Sequence, residues 1–138
     1  MATLTVSAAD EKRVKAMGFL SNKGTDNFSA RIITINGKVT ADQMRAITEA
    51  AEKYGNGTIL FTTRLTVEVQ GIPYEKIDEF KSAIEEAGMS CGGTGSKVRP
   101  VVSCKGTTCQ YGLIDTFALS EEIHHRFYEG YRQVKLPH

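Results

Sequence analysis

What is scarce in this sequence narrows its function before anything present does. Neither sign of charge prevails, with 17 Lys and Arg against 16 Asp and Glu over 138 residues. No overall field therefore draws the chain toward nucleic acid or anionic lipid, and any anion must be met by local charge. No stretch of roughly 18 apolar residues occurs, so no membrane-spanning helix is expected, and the start MATLTVSAADEKRVK lacks the apolar run of a signal peptide. The expected location is the cytoplasm. Cysteine is limited to Cys91, Cys104 and Cys109. An odd count in a reducing compartment argues against a disulfide framework and leaves metal binding or buried thiols. Internal repeats, low-complexity tracts and heptads are absent, as are a serine hydrolase elbow, a paired-carboxylate motif and a zincin motif. The GGTGSK run at 92–97 misses the phosphate-loop spacing, because its Lys follows Ser rather than the second Gly, and it reads as a flexible joint.

What is present fits a soluble globular chain, 41% hydrophobic and 24% charged. Its length suits one domain, or one small domain with part of another. Residues 1–27 are polar and weakly patterned, and regular structure is expected to start near Phe28. FSARIITI reads as a strand closed by an Asn36-Gly37 turn. Thr40 and Gln43 form a capping box for a helix carrying Met44, Ile47, Ala51 and Tyr54 at helical spacing, which Gly55 stops. From Thr58 to Gln70 the period becomes two, with Leu65, Val67 and Val69 on one side and Thr62, Arg64, Thr66, Glu68 and Gln70 on the other; a break near Thr62–Arg64 leaves open whether this is one strand or two. Pro73 opens a second helix with an Ile77, Phe80, Ile84, Ala87 stripe ending at Gly88. This β-α-β-β-α order is that of a ferredoxin-like half-domain in an α+β fold. Beyond the glycine-rich link, Val98–Ser103 reads as a further strand leading to Cys104, and a last helix runs from Asp115 or Thr116 to Tyr131.

Two groups of residues offer chemistry. In SCKGTTC, Cys104 and Cys109 have four residues between them and stand among small and hydroxyl side chains, a spacing that lets one loop give two thiolates to one metal centre. A zinc knuckle is tighter, so the spacing leans toward a cluster edge, while two buried thiols at a strand end remain the plain alternative. Arg31, Arg64 and Arg99 fall on or beside expected strands, where a long cation faces either water or an anion. Arg64 shares its row with Thr62 and Thr66, a donor set able to grip carboxylates, or else a solvated sheet face. Cys91 reads as a small residue of the link, and His124 and His125 as surface residues.

The segments GFLSNKGTDNFSARIITINGKVT, FTTRLTVEVQGIPY and TGSKVRPVVSCKGTTCQYGLIDT, with EEIHHRFYEGYRQVKLPH, resemble the N-terminal part of the siroheme-dependent nitrite and sulfite reductases, nearest to the small anaerobic single-repeat type. The resemblance implies a ferredoxin-like half-domain over 28–90, after an N-terminal segment 1–27. At 91–138 it implies the incomplete start of the α/β domain that holds siroheme and a 4Fe-4S cluster. It implies six-electron reduction of sulfite to sulfide or of nitrite to ammonia, with electrons from ferredoxin or a flavoprotein. Carried over by position, Arg31 and Arg99 face the substrate anion, Arg64 contacts siroheme carboxylates with Thr62 and Thr66 beside it, and Cys104 and Cys109 are the first pair of cluster ligands. Two departures stand out: larger members space that pair by five residues, and Glu68 stands where glutamine is usual. In the family a K-x-K segment and a C-x3-C pair follow an LP-[KRH] sequence, and this chain ends at Leu136-Pro137-His138. The expectation is a piece of a longer protein that by itself holds neither cluster nor siroheme and keeps Cys104 and Cys109 as free thiols. The alternative is a free-standing ferredoxin-like module that binds a small ligand or partner without redox activity. An RNA-binding sheet is disfavoured by the neutral charge and the lack of aromatics stacked on one strand face.

Overall fold

The computed structural model describes residues 6–129 and Pro137. Its elements are α1 (Ala8–Ala16), β1 (Phe19–Ser21), β2 (Asn27–Ile33), α2 (Ala41–Tyr54), β3 (Ile59–Phe61), β4 (Val67–Pro73), α3 (Ile77–Glu86), β5 (Ser90–Cys91) and α4 (Thr116–Ile123). All strand pairs are antiparallel; the order is β1-β2-β4-β3, and β5 also pairs with β2. The β2-α2-β3-β4-α3 core is the expected ferredoxin-like half-domain.

The periodicities account for the packing. The apolar stripes of α2 (Ile47, Ala50, Ala51) and α3 (Ile77, Phe80, Ile84) are buried, as are Ala30, Ile32, Val67 and Val69 on the sheet. Phe80 joins the layers, with its ring edge-on to both Phe19, at 6.1 Å between centroids, and Tyr54, at 6.3 Å. Strict alternation would turn Ile72 away from Val69, yet both are fully buried. The register between β2 and β4 slips at this point, and Gly71, at φ 76°, supplies the left-handed residue of the bulge. The capping box forms as read, with Thr40 Oγ1 accepting from the Gln43 N–H at 3.1 Å and Gln43 Oε1 from the Thr40 N–H at 3.0 Å.

Several expectations are corrected. Regular structure starts at Ala8, not near Phe28. Ser7 caps α1, Val14 and Phe19 enter the core, and β1 pairs with β2. The α1 helix is too short and too polar for its spacing to reveal it; one buried Val holds it to the sheet. The break near Thr62–Arg64 is real and divides β3 from β4. Pro73 ends β4, and one turn of tighter helix at Tyr74–Lys76 precedes α3. Val98–Ser103 is not a strand; it has no ladder partner. The last helix begins at Thr116 as expected but widens to π geometry over His124–Glu129, and its Leu119 and Phe127 are about half exposed rather than part of a core. The expected end at Tyr131 lies outside the described residues.

Candidate functional site

Arg31 lies on β2 directly opposite Glu68 of β4. Their strand neighbours Ala30, Ile32, Val67 and Val69 all point into the core, so this pair stands on the other face of the sheet. Arg31 Nε and Nη2 both donate to Glu68 Oε1, at 2.8 and 2.6 Å, with the side chains only 20% and 13% exposed. Such a pair orients the guanidinium firmly and cancels most of its charge. One edge of Arg31 is engaged, and the Nη1 edge is outside this pair. Sequence reasoning did not join these two residues; a single cation and a single anion on the polar faces of two strands was the available signal.

The backbone of Arg31 occupies a seam. Its N–H donates to Gly18 O at 2.8 Å and its C=O accepts from Gly92 N at 3.1 Å, so the chain before β1 and the chain after β5 meet on one flank of β2. A Cβ on Gly18 would fall 2.4 Å from Gly92 N, which leaves room only for glycine. Thr94 Oγ1 donates to Lys15 O, and Gly92, Gly93 and Thr94 are buried. The 92–97 run is thus a packed joint rather than a flexible one. Arg99 follows it, exposed, with Nη1 donating to Gly93 O at 2.8 Å. Arg31 and Arg99 are in this way fastened to adjacent residues of one segment.

Thr62, Arg64 and Thr66 do not share one strand row. They belong to the tight turn between β3 and β4: Thr62 N donates to Thr66 O at 2.9 Å, their hydroxyls lie 2.6 Å apart, and Leu65 takes φ 58°. Thr66 is buried and Arg64 is exposed. The hydroxyls therefore build the turn, and the guanidinium projects from it. The Asn36-Gly37 turn packs against this one. Thr34 Oγ1 donates to Leu65 O and accepts from Gly37 N at 2.8 Å.

On its other side the same turn holds the cysteine loop. Asn36, buried and at φ 54°, accepts from Ser103 N at 2.6 Å through Oδ1 and donates to Cys104 O at 3.0 Å through Nδ2. Cys104 and Cys109 flank a short turn over Gly106–Thr108, and both are exposed and free. The plain alternative of two buried thiols is excluded. Cys91 is the buried one: it stands on β5 opposite Ile32 of β2, and desolvation first, then Glu85, pushes its thiol up to about 12. Among the described residues, no group of three or more His, Cys, Asp and Glu side chains is placed to hold a metal ion. Cys104 and Cys109 have the donor chemistry for two corners of a thiolate-held centre. His124, expected at the surface, is buried and lines a cleft of about 400 Å³ with Thr34, Thr40, Gln43 and Ser90, whose lining includes none of the predicted site residues. Among the described residues no helix is long and apolar enough to cross a membrane.

Comparison with known proteins bears on this arrangement. The family described as nitrite/sulfite reductase ferredoxin-like half domain matches residues 21–87. An uncharacterized protein of Methanocaldococcus jannaschii is 34% identical over 80% of this chain and 41% of its own length. The NAD(P)H nitrite reductase of Emericella nidulans is 29% identical over 87% of this chain and 11% of its own. The structure of Mycobacterium tuberculosis NirA has the same fold, with a TM-score of 0.78 at 17% identity over 90% of this chain and 26% of that one. The chain thus spans well under half the length of each of these proteins. Residues 21–87 belong to the family of nitrite/sulfite reductase ferredoxin-like half domains.

Proposed function

We propose that this chain forms one part of a siroheme-dependent nitrite or sulfite reductase, with 28–90 as the half-domain that lines the site and 91–138 as the start of the domain that holds the cofactors. The observation that carries the reading is the turn at Asn36-Gly37. It binds the Arg64 turn on one side and the Cys104 loop on the other, at the end of the strand that bears Arg31. A polycarboxylate macrocycle and a thiolate-held cluster need cations and cysteines at one end of one sheet, and this turn fastens them there.

Each residue then has a distinct task. Arg64, exposed and extended from a rigid turn, grips siroheme carboxylates, while the paired hydroxyls of Thr62 and Thr66 keep the turn in shape. Cys104 and Cys109 donate thiolates to a 4Fe-4S cluster. When bound, the cluster would relay electrons to the siroheme, whose iron would be the centre at which sulfite or nitrite is reduced. Arg31 orients the anion through its Nη1 edge. Because Glu68 cancels its charge, Arg31 contributes direction more than attraction, and the exposed guanidinium of Arg99, which pairs with no carboxylate among the described residues, supplies the pull. Ferredoxin or a flavoprotein provides the electrons from outside.

Arg64→Ala in the siroheme-loaded enzyme tests this. Loss of a charge-assisted contact is expected to lower siroheme occupancy by roughly tenfold, read from its absorbance bands. Unchanged occupancy would refute the assignment.

A further inference from the structure

The half-domain and the cysteine loop meet at one side chain. Among the described residues, the hydrogen bonds that join Ser103 and Cys104 to the half-domain both come from Asn36. The amide is inserted between two successive peptide groups, with its oxygen on the Ser103 N–H and its nitrogen on the Cys104 carbonyl. Only one orientation of the amide satisfies both. Asn36 cannot swing away either, because it is buried at a left-handed position between the Ile35–Lys38 bridge and Gly37, which Thr34 pins to Leu65. On the far side the loop is tied to α4, through Ser103 and Ser120 hydroxyls 3.0 Å apart and through Thr107 Oγ1, which donates to Asp115 Oδ1 at 2.6 Å. Those ties reach the half-domain only by way of α4, whose Phe117 ring lies 5.2 Å from Lys38 Nζ and whose end lines a cleft with Thr40 and Gln43.

We infer that Asn36 is the positioning residue of the cysteine loop: its side-chain amide sets where Cys104 stands relative to the Arg31 strand and the Arg64 turn. Asn-Gly reads as a plain turn signal in the sequence, which hides a second task. Aspartate has only the acceptor half of the amide and sets a second oxygen against the Cys104 carbonyl. Glycine adopts the turn without strain and lacks both halves. The inference rests on the proposed cluster-ligand role of Cys104 for its meaning, but its geometry is tested apart from that role.

The experiment is amide hydrogen exchange, residue by residue, on the chain carrying Asn36→Gly or Asn36→Asp. Exchange at Ser103 is expected to be slowest in the wild type, intermediate in N36D and at least tenfold faster than wild type in N36G, with Ile32 on β2 unchanged. A merely structural role would speed Ile32 and Ser103 together. Acceleration at Ser103 below tenfold in N36G, or an equal acceleration at Ile32, overturns the inference. Cys104→Ser in the iron-loaded enzyme reads the other layer. Loss of cluster iron supports the cysteine assignment, and full retention of iron sinks that assignment while the exchange result stands by itself.

Discussion

Residues 8–91 and residues 92–127 treat their apolar side chains in opposite ways. In the first stretch Phe19, Ile32, Ile47, Val69, Ile72, Phe80 and Ile84 are all fully buried, in a sheet with two helices on one face. In the second, Leu113 is 97% exposed and Tyr111 82%, and Val102, Ile114, Leu119 and Phe127 stand about half exposed or more. The first is held by area removed from water, which is large and tolerant of local change. The second is held to the first by polar latches at Lys15, Arg31 and Asn36, each worth about 1 kcal/mol and each directional. A hydrophobic core gives stability; a row of single hydrogen bonds gives position. The residues proposed to bind substrate or cofactor divide along the same line, with Arg31 and Arg64 on the packed part and Arg99, Cys104 and Cys109 on the latched part.

The sharpest way to break this contrast is to truncate one large side chain in each region. Phe80→Ala removes the ring that joins Phe19 and Tyr54 and should cost about 3–5 kcal/mol, read as a lowered midpoint of chemical denaturation. Leu113→Ala should change stability by no more than about 0.5 kcal/mol. Comparable costs would mean that the second region has a core of its own.

How far this contrast was legible in the sequence follows from its physics. The α2 and α3 stripes, the capping box and the Asn36-Gly37 turn repeat a local geometry, so periodicity and turn chemistry place them within a residue or two. Helix α1 escaped because one buried Val14 makes no period, and β1 escaped because three residues paired across a turn carry no pattern of their own. The β-branched run at Val98–Ser103 satisfies strand propensity, yet no neighbour pairs with it, and propensity does not override a missing partner. At the candidate site the residue types were readable and their partnerships were not. Arg31 meets Glu68 across 37 positions and Asn36 meets Cys104 across 68, distances at which only the folded chain brings side chains together.

Glu68 offers a smaller and more local probe of the packed region. Glu68→Ala leaves the Arg31 guanidinium mostly buried without its acceptor, and should cost about 1.5–3 kcal/mol, below the Phe80 truncation and well above any change at an exposed ion pair such as Arg45–Asp42. Glu68→Gln should recover part of that loss, because the amide oxygen accepts from Arg31 without the charge. Denaturation midpoints for both variants decide this. An Ala variant as stable as the parent would show that the pair contributes orientation alone.

The smallest expected effect belongs to the latched region and depends on pH. Asp115 caps α4, accepting from Ala118 N at 3.0 Å and from the Thr107 hydroxyl, and these contacts, Thr107 first, hold its carboxyl below the usual carboxylate range. A carboxyl lowered in the folded chain stabilises above its unfolded pKa of about 3.9, and that contribution is lost as the pH falls through the lower folded value. The N-terminal turn of α4 should therefore fray as the pH falls below about 4, before the sheet does, with amide exchange at Ala118 rising relative to that at Ile32. Asp115→Asn should remove the pH dependence of that ratio, since its side chain does not titrate, while still offering an oxygen to Ala118 N. If Ala118 and Ile32 instead lost protection together on acidification, the two regions would unfold as one unit, and the division between a packed half and a latched half would not describe how this chain is stabilised.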